Sequence, residues 1–396
     1  MPALKTTSRI DWPLMNRHVT DEDFEVLIEF LKTKPRLTQS TQVQRFEEEW
    51  SRWLGTRHSV MVHSGSAANL ISLALLKETF GEGEVIVSPL NWISDIWSIV
   101  CMGFTPVFVD IELKTLGMDN AAVLEALTPR TRAVMLTHIL GLNAFTSDLA
   151  GELKKKNIWL VEDVCESYGA TWRTKKLGTF GTLSNFSFYF GHHLTTVEGG
   201  MVSTDDENLY QTLRMLRAHG MVRESSSPAV RSRWEESFPD LHGEFIFAHP
   251  GFNMRATEIE AVLGRNQLPR LDDEILVRNS QYRLFLDGLD RKKFYTEFAA
   301  EGMSNYGFVL MVREKDSGLQ RRVMQVLEEE GVEFRRGLSG GGNQLRQPYF
   351  KKWIKGVDPL AFTNVEHAHH FGFYFGNYPE ISSDRIQRLA ERLNHA

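Results

Sequence analysis

The stretch NFSFYFGHHLTTVEGGMVST (185–204) places two consecutive histidines directly after a strand-like run. An imidazole suits proton transfer, because its ordinary pKa of about 6.5 lies close to neutral pH. Adjacent side chains tend to point in different directions, so at most one of His192 and His193 is expected to act in a site. Neither belongs to an HExxH or CxxC zinc motif, and we expect no metal.

A carboxylate ends the apolar run in IWLVEDVCESYGA (158–170). Open α/β folds bind ligands at the carboxyl ends of their strands, which is where Asp163 falls. An aspartate in this place can pair with a protonated ring nitrogen, as pyridoxal enzymes require. The alternative interpretation is that Asp163 caps a helix.

Small residues open an apolar helix in HSGSAANLISLALL (63–76). Gly65, Ser66 and Ala67 would let backbone N–H groups approach an anion at the positive end of the helix dipole. A plain N-cap by Ser64 or Ser66 would produce the same pattern. The motif therefore indicates a phosphate site without establishing one.

Two further side chains follow strand-like runs. Trp92, in SPLNWISDIW (88–97), could stack on a planar cofactor, and a core position for this ring is the alternative. Period-two alternation in NFSFYF puts Ser187 on the face opposite to Phe186 and Phe188. We expect Ser187 to face whatever binds at the end of that strand.

These residues need a scaffold, and the pattern between residues 57 and 205 predicts one. Short β-rich runs alternate there with helix-like stretches, which predicts a mostly parallel sheet with helices on both faces. A long amphipathic stretch (256–289), interrupted near Pro269, leads to a smaller α+β region. We predict a large cofactor-binding domain over 1–260, and a connecting helix with a small domain over 261–396. The β-rich runs are 84–88, 105–110, 132–138, 158–163, 185–190 and 200–204, with 306–312 and 332–336 in the smaller region.

Composition narrows the class of protein. The 396 residues carry a net charge of −6, with acids and bases interspersed, which points away from nucleic acid or a membrane surface as partner. A small anionic substrate remains compatible with this charge. The N-terminal segment does not resemble a signal peptide, and the sequence contains no run of 18 apolar residues. We therefore expect a cytoplasmic protein. Two cysteines, Cys101 and Cys165, are too few for a disulfide framework or a cysteine-ligated cluster.

Taken in order, the motifs resemble the DegT/DnrJ/EryC1/StrS family, the fold-type I pyridoxal-phosphate sugar aminotransferases. The resemblance implies an aminotransferase-like α/β fold in which Asp163 pairs with the pyridine nitrogen and Trp92 stacks on the ring. It also implies that Gly65, Ser66, Ala67 and Ser187 bind the phosphate. Asn253 would reach in from a partner subunit, which implies a homodimer with shared active sites. The motifs are FEEEW (46–50), HSGSAANL (63–70), VIVSPLNW (85–92), FVDIE (108–112), VEDVCESYGA (161–170), GTFGTLSNFSF (178–188), TTVEGGMVSTDD (195–206), LRAHG (216–220) and GFNMRATEIEAVLG (251–264).

One position departs from the family pattern. Aminotransferases of the family read S-F-x-x-x-K-x-I/L-T-T-x-E-G-G, and their lysine forms the Schiff base with the cofactor. Counting five residues forward from Ser187 or six back from Glu198 gives His192. An imidazole forms no stable imine with an aldehyde, so the cofactor would work as its amine form, pyridoxamine phosphate. His192 could then move protons, and loss of a hydroxyl would replace amino transfer.

This replacement is the mark of the sugar 3-dehydratases within the family. One branch needs an iron–sulfur cluster and several cysteine ligands, whereas the other is metal-free and acts on GDP-4-keto-6-deoxymannose. With two cysteines the chain resembles the second branch. The resemblance implies removal of the C3 hydroxyl from a nucleotide-linked 4-keto-6-deoxyhexose. L-glutamate would restore the amine form of the cofactor, and ammonia would be released.

Three other residues are candidates. His219 in LRAHG matches a histidine that reaches the site from the neighbouring subunit in the metal-free dehydratases, although it could also satisfy the last carbonyls of a helix. Arg335 or Arg336 could bind the glutamate carboxylate or the sugar diphosphate, or form a solvated surface pair. The glycines of LSGGGNQ (338–344) predict a mobile loop and a candidate substrate lid.

Two other functions stay open. The first is the same mechanism on another nucleotide sugar or keto compound, because the nucleobase pocket has no readable signature. The second is an inactive homologue that binds cofactor or sugar as a regulatory module. An ordinary aminotransferase fits least, because Lys175 and Lys176 do not match the Schiff-base position.

Overall fold

A seven-stranded sheet is the main element of the computed structural model, which describes residues 10–16 and 19–396. The strand order is β1-β9-β8-β5-β4-β2-β3, and within it only β9 runs against its neighbours. The mostly parallel sheet of an α/β fold that we predicted is thus confirmed. Its strands are β1 His58–Val62, β2 Glu84–Val87, β3 Thr105–Phe108, β4 Thr131–Thr137, β5 Trp159–Asp163, β8 Leu183–Ser187 and β9 Gly200–Thr204, with a separate hairpin formed by β6 Thr171–Trp172 and β7 Lys175–Lys176.

Helices cover both faces of this sheet. Helix α3 is buried around most of its circumference because it lies between the sheet and helices α4 and α7. The opposite face packs against α2 and α6 through an apolar cluster that includes Phe46, Trp50 and Phe186. The helices up to the end of the sheet are α1 Asp21–Lys32, α2 Thr41–Leu54, α3 Gly65–Phe80, α4 Ile93–Cys101, α5 Asn120–Glu125, α6 Ser147–Lys155 and α7 Glu207–Arg217.

The predicted interruption near Pro269 is confirmed. Helix α9 ends at Gln267, a 3₁₀ turn covers Leu268–Arg270, and α10 continues from Leu271. Proline lacks an N–H and fixes φ, which explains the break at this point. The later helices are α8 Pro228–Ser237, α9 Glu258–Gln267, α10 Leu271–Gly288, α11 Ser317–Glu329, α12 Pro348–Trp353, α13 Thr363–Phe371 and α14 Ser383–Asn394.

A second, three-stranded sheet lies beyond α10. Its strands are β10 Gly307–Met311, β11 Phe334–Arg336 and β12 Gly372–Gly376, with β12 in the centre and antiparallel to both neighbours. The rings of Phe308 and Phe375 stack at 5.1 Å across the β10–β12 pair and pack against Trp12. The boundary that we predicted between residues 260 and 261 stays a prediction, although the two sheets fall on its two sides.

The sequence patterns missed three features of these sheets. Strands β1 and β12 were not among the expected runs, and β12 directly follows α13 without a polar break. The run predicted over 185–190 was wrong at its end, because β8 stops at Ser187. Beyond it the chain turns, with the amide of His192 donating to the carbonyl of Tyr189 (3.0 Å), and Tyr189 and Phe190 are exposed.

Candidate active site

The carboxyl ends of the parallel strands open onto a cavity of about 330 Å³. The strand register brings three polar side chains of the sheet together at this end, because Asp163 lies opposite Thr137 of β4 and Asn185 of β8. Six of the residues that the motifs predicted meet in this cavity. They are Gly65, Ser66, Trp92, Asp163, Ser187 and His192. Ala67 lies behind them in the first turn of α3, 3% exposed.

His192 is 8% exposed and lines the cavity. Its Nδ1 is buried without a hydrogen-bond partner, which leaves Nε2 as the ring nitrogen available to a bound molecule. Burial lowers the pKa of His192 from 6.5 to about 4, and the charge of Asp163 opposes this only in part. The imidazole is therefore neutral at pH 7 and able to accept a proton.

His193 points elsewhere, as expected for a neighbouring residue. Its Nε2 lies 3.0 Å from the carbonyl oxygen of Asn305 and 3.3 Å from the hydroxyl of Ser304. Its ring packs against Tyr168 with the centroids 5.1 Å apart, and it does not line the cavity. The structure thus separates the two histidines and gives the cavity to His192.

Asp163 is held at the end of β5 by two donors. Its Oδ1 accepts from the amide of Cys165 (2.9 Å) and its Oδ2 accepts from Nδ2 of Asn69 (2.9 Å). The residues after β5 form turns and not a helix, so the helix-cap interpretation is wrong. The carboxyl group faces the cavity at 4% exposure, where it can meet a protonated ring nitrogen.

The start of α3 forms a narrow cradle next to Ser187. Ser64 caps the helix, with its hydroxyl accepting from the amide of Ala67 (3.1 Å), and Gly65 and Ser66 face the cavity. A Cβ added at Gly65 would lie 2.5 Å from the Cβ of Ser187, so only glycine fits this close approach. The N-cap by Ser64 is therefore present, and the phosphate role of Gly65 and Ser66 at the same helix start stays a prediction.

The ring of Trp92 is 56% exposed and borders the cavity, so the core position considered for it is wrong. Trp92 stands at the N-cap of α4, where the chain leaves the sheet. A large apolar ring exposed at a cavity wall suits contact with a flat ligand. With Asp163 and the α3 cradle, the donor set fits a phosphorylated pyridine.

Lysine is missing from the cavity wall within residues 10–16 and 19–396. Lys176, which precedes β8 in the sequence, instead donates to the carbonyl of Trp53 (2.7 Å) and lies over the ring of Trp53. Lys175 belongs to the same β6–β7 hairpin. Neither side chain can take the place of His192.

His219 and Asn253 lie outside this cavity. Both are exposed, and their backbones are joined where the amide of His219 donates to Phe252 and Ala218 pairs with Asn253. The imidazole of His219 bonds to no helix carbonyl in the described part of the chain, so the capping alternative is not supported. Its backbone has φ +63, a strained conformation for a residue other than glycine.

His219 lines a second, open cavity of about 490 Å³. Three guanidinium groups border it, from Arg36, Arg223 and Arg255, together with the exposed ring of Phe247. Arg223 pairs with Glu244 at 3.4 Å, whereas the described residues offer Arg36 and Arg255 no ion pair. Glu224 also borders the cavity, with its carboxylate 3.9 Å from Nε of Arg223, so the wall combines three guanidinium groups with one carboxylate and an aromatic ring.

Arg335 and Arg336 are exposed on β11 and do not line the main cavity. Arg335 pairs with Glu333 at 3.0 Å and lies opposite Tyr374, which does line it. The structure therefore places Arg335 beside the cavity rim and leaves the binding roles of both arginines as predictions.

Sequence reasoning missed several residues of the cavity. Glu166, three positions after Asp163, accepts from the amide of Leu140 (2.9 Å) and from the hydroxyl of Ser339 (2.7 Å), and burial raises its pKa to about 7. The bond between Ser339 and Glu166 ties the glycine-rich loop, which we predicted to be mobile, to the wall of the cavity. Tyr374 of β12 and Tyr306, directly before β10, also line the cavity and carried no motif. Asp95 and its partner Asn69 were also missed.

Neither a metal-ligand cluster nor a membrane-spanning helix occurs among the residues that the structure describes. Among those the structure describes, no three His, Cys, Asp or Glu side chains are grouped to hold a metal ion. Cys101 and Cys165 are free. In the described chain, no helix combines the length and apolarity needed to cross a membrane.

Comparison with known proteins gives a consistent result. The model of the DegT/DnrJ/EryC1/StrS aminotransferase family matches residues 18–394. GDP-4-keto-6-deoxy-D-mannose 3-dehydratase of Escherichia coli O55:H7 is 32% identical, over 97% of this chain and 100% of that protein. dTDP-4-dehydro-2,6-dideoxy-D-glucose 3-dehydratase of Saccharopolyspora spinosa is 32% identical, over 95% of this chain and 84% of that protein. A solved GDP-4-keto-6-deoxymannose-3-dehydratase with a trapped PLP-glutamate geminal diamine has a TM-score of 0.84, at 30% identity over 97% of this chain and 100% of the other.

Proposed function

The chain belongs to the DegT/DnrJ/EryC1/StrS aminotransferase family, and from this premise we propose that it is a metal-free nucleotide-sugar 3-dehydratase. It uses pyridoxal phosphate and its amine form to remove the C3 hydroxyl of a 4-keto-6-deoxyhexose. GDP-4-keto-6-deoxymannose is the substrate that the similarity favours. The observation that carries the proposal is His192, which stands at the family's lysine position in a cavity whose described wall holds no lysine.

The residues present fit the cofactor. The cradle at Gly65 and Ser187 suits the phosphate, Trp92 suits one face of the ring, and Asp163 suits the ring nitrogen. Pyridoxal phosphate, when bound, supplies an aldehyde that exchanges amino groups and a ring that withdraws electrons. Asp163 supports that withdrawal by keeping a proton on the ring nitrogen.

His192 moves the protons. Because its imidazole is neutral, Nε2 can accept a proton from carbon and afterwards return it to the departing C3 hydroxyl, which leaves as water. An imidazole makes no covalent bond to the cofactor that would hold it for amino transfer. The rings of Tyr306 and Tyr168, with centroids 5.4 and 6.4 Å from that of His192, limit the water around it.

The second cavity, beside His219, suits the nucleoside diphosphate part of the substrate. A diphosphate matches the guanidinium groups of Arg36, Arg223 and Arg255, and a nucleobase can stack on Phe247. This cavity lies beside His219 and Asn253, the residues expected to enter a neighbouring site. We therefore propose a homodimer in which one copy binds the nucleotide of a sugar whose ring lies in the partner's cavity.

L-glutamate completes the cycle by restoring the amine form of the cofactor, and the amino group lost from the dehydrated sugar leaves as ammonia. Arg335, on the sheet face of Tyr374, is the better placed of the two arginines to bind a glutamate carboxylate at the cavity rim. Nucleotide sugars and free glutamate meet in the cytoplasm, where we place the protein.

A different deoxysugar is the second candidate, because the dideoxyglucose 3-dehydratase of Saccharopolyspora spinosa is equally similar in sequence. An inactive, regulatory homologue is disfavoured, since it would have no need to preserve Asp163, Trp92 and Ser187 around one cavity.

The test is turnover of GDP-4-keto-6-deoxymannose with pyridoxal phosphate and L-glutamate, followed by the release of ammonia and of the 3-deoxy-4-ketosugar. We expect His192→Asn to abolish dehydration, while His370→Asn, at a half-buried histidine on α13 that does not line the cavity, leaves it unchanged. Full turnover by His192→Asn would remove the proposed mechanism. Turnover of the dTDP-linked sugar alone would shift the proposal to the second candidate.

A further inference from the structure

One amide nitrogen joins two carboxyl groups at the floor of the cavity. Nδ2 of Asn69 donates to Oδ2 of Asp163 at 2.9 Å and also to Oδ1 of Asp95, on α4. Asp95 is fully buried and Asp163 is 4% exposed. The orientation of the Asn69 amide is fixed from behind, since its Oδ1 accepts from Nδ2 of Asn185 (2.9 Å). The NH₂ group therefore faces both carboxyl groups.

The remaining oxygens of the pair are also occupied. Oδ2 of Asp95 accepts from the hydroxyl of Thr137 (2.7 Å), and Oδ1 of Asp163 accepts from the amide of Cys165 (2.9 Å). These donors are neutral, so they satisfy hydrogen bonds without compensating two negative charges.

No cation compensates the pair within the described cavity wall. None of the other titratable groups of the wall is a cation: His192 is neutral, and the rest are Cys165, Glu166, Tyr189, Glu198, Tyr306 and Tyr374. Burial raises the pKa of Asp95 well above 3.8, and the charge of Asp163 raises it further. Two adjacent buried carboxylates cannot both be ionised under these conditions, so one proton must remain in the pair.

We propose that Asp95 is a positioning residue that keeps its proton at neutral pH and donates it in a hydrogen bond to Asp163, which stays the anion of the pair. The fully buried carboxyl keeps the proton because it is the less exposed of the two, at 0% against 4% for Asp163. Asp163 is then fixed in orientation and in charge before any ligand enters.

The effect of this pair on the protonation of the cofactor's ring nitrogen rests on the proposed function. An ionised Asp163 favours a protonated ring nitrogen, and a neutral neighbour keeps it ionised without adding a second charge. The shared proton itself belongs to the protein without cofactor, and it can be measured whether or not the chain is a dehydratase.

Infrared spectroscopy of the cofactor-free protein tests the proton directly. Aspartate labelled with ¹³C at the carboxyl carbon separates aspartic acid bands from those of Glu166. We expect a protonated aspartate band at pH 7 that disappears in Asp95→Asn. It should persist in the control Asp110→Asn, because Asp110 only accepts from backbone amides of residues 111, 364 and 365. Absence of the band from the wild type, or its survival in Asp95→Asn, would overturn the proposal.

Cofactor titration tests the positioning role. Asparagine retains a donor to Asp163 without a charge, so Asp95→Asn should bind pyridoxal phosphate within about twofold of wild type at pH 7. Leucine retains the volume but no donor, and Asp95→Leu should bind about tenfold more weakly. Equal binding by both variants and the wild type would overturn the positioning role. Failure of the wild type to bind pyridoxal phosphate would instead contradict the proposed function, while the infrared band would remain.

Discussion

The buried, neutral state of His192 predicts a specific dependence of stability on pH. The folded protein holds this pKa at about 4, whereas the unfolded chain has the ordinary value of 6.5. Because folding depresses the pKa, the stabilising contribution is complete above pH 6.5 and is lost as pH falls towards 4. Each pH unit in that window costs about 1.4 kcal/mol for one proton, so the loss between pH 6.5 and pH 5 is about 2 kcal/mol.

Urea unfolding of the cofactor-free protein at pH 7.5 and pH 5.0 measures this contribution. The free energy of unfolding of the wild type should fall by about 2 kcal/mol more than that of His192→Asn, which has no proton to take up. His370→Asn is the control, because it removes an imidazole that is 45% exposed in its side chain and lies outside the cavity. The same fall in wild type and His192→Asn would show that His192 is not a buried neutral base, and the proton transfer proposed for it would lose its physical basis.

Three further variants test other parts of the site. Gly65→Ala should lower the affinity for pyridoxal phosphate at least tenfold in a spectroscopic titration, because its Cβ would lie 2.5 Å from that of Ser187; unchanged affinity would contradict the cradle. Trp92→Ala should weaken the same titration about tenfold, since a stacked ring contributes about 1 kcal/mol beyond its buried area, and should leave the unfolding midpoint nearly unchanged at this exposed position. Arg255→Ala should raise the KM for the nucleotide sugar about tenfold with little change in the KM for glutamate, and an equal rise in both would exclude a diphosphate role.

Local chemistry made part of this site predictable from the sequence. The helix start at Gly65 needs small residues, and the strand ending at Asp163 is apolar up to its last residues, so each motif indicated its own structure. Aligned with the family's motif, the spacing of Ser187, His192 and Glu198 put His192 at the lysine position without any coordinates. The chain direction of the strands then brought these segments to one edge of the sheet.

Contacts between distant segments were beyond such reasoning. The pairing of Asp95 with Asp163 depends on Asn69, which lies 26 positions from the first and 94 from the second. Tyr374 in β12 and Tyr306 just before β10 enter the cavity because the smaller sheet packs beside it, and a lone tyrosine in the sequence gives no sign of this. Strand β12 was not predicted because it follows α13 without a turn and is bounded by Gly372 and Gly376.

The segment that carries His192 is irregular, yet it is held at two points by side chains from elsewhere in the chain. Tyr168 accepts from the amide of Leu194 (2.6 Å) and donates to its carbonyl (2.8 Å), and Gln267 bonds both the amide (3.0 Å) and the carbonyl (2.7 Å) of Thr195. None of these bonds involves the side chain of residue 192. The scaffold therefore fixes the position of whichever side chain occurs there, and the identity of that side chain decides the chemistry. An amine at this point could bond to the cofactor, whereas the imidazole can only exchange protons with what is bound.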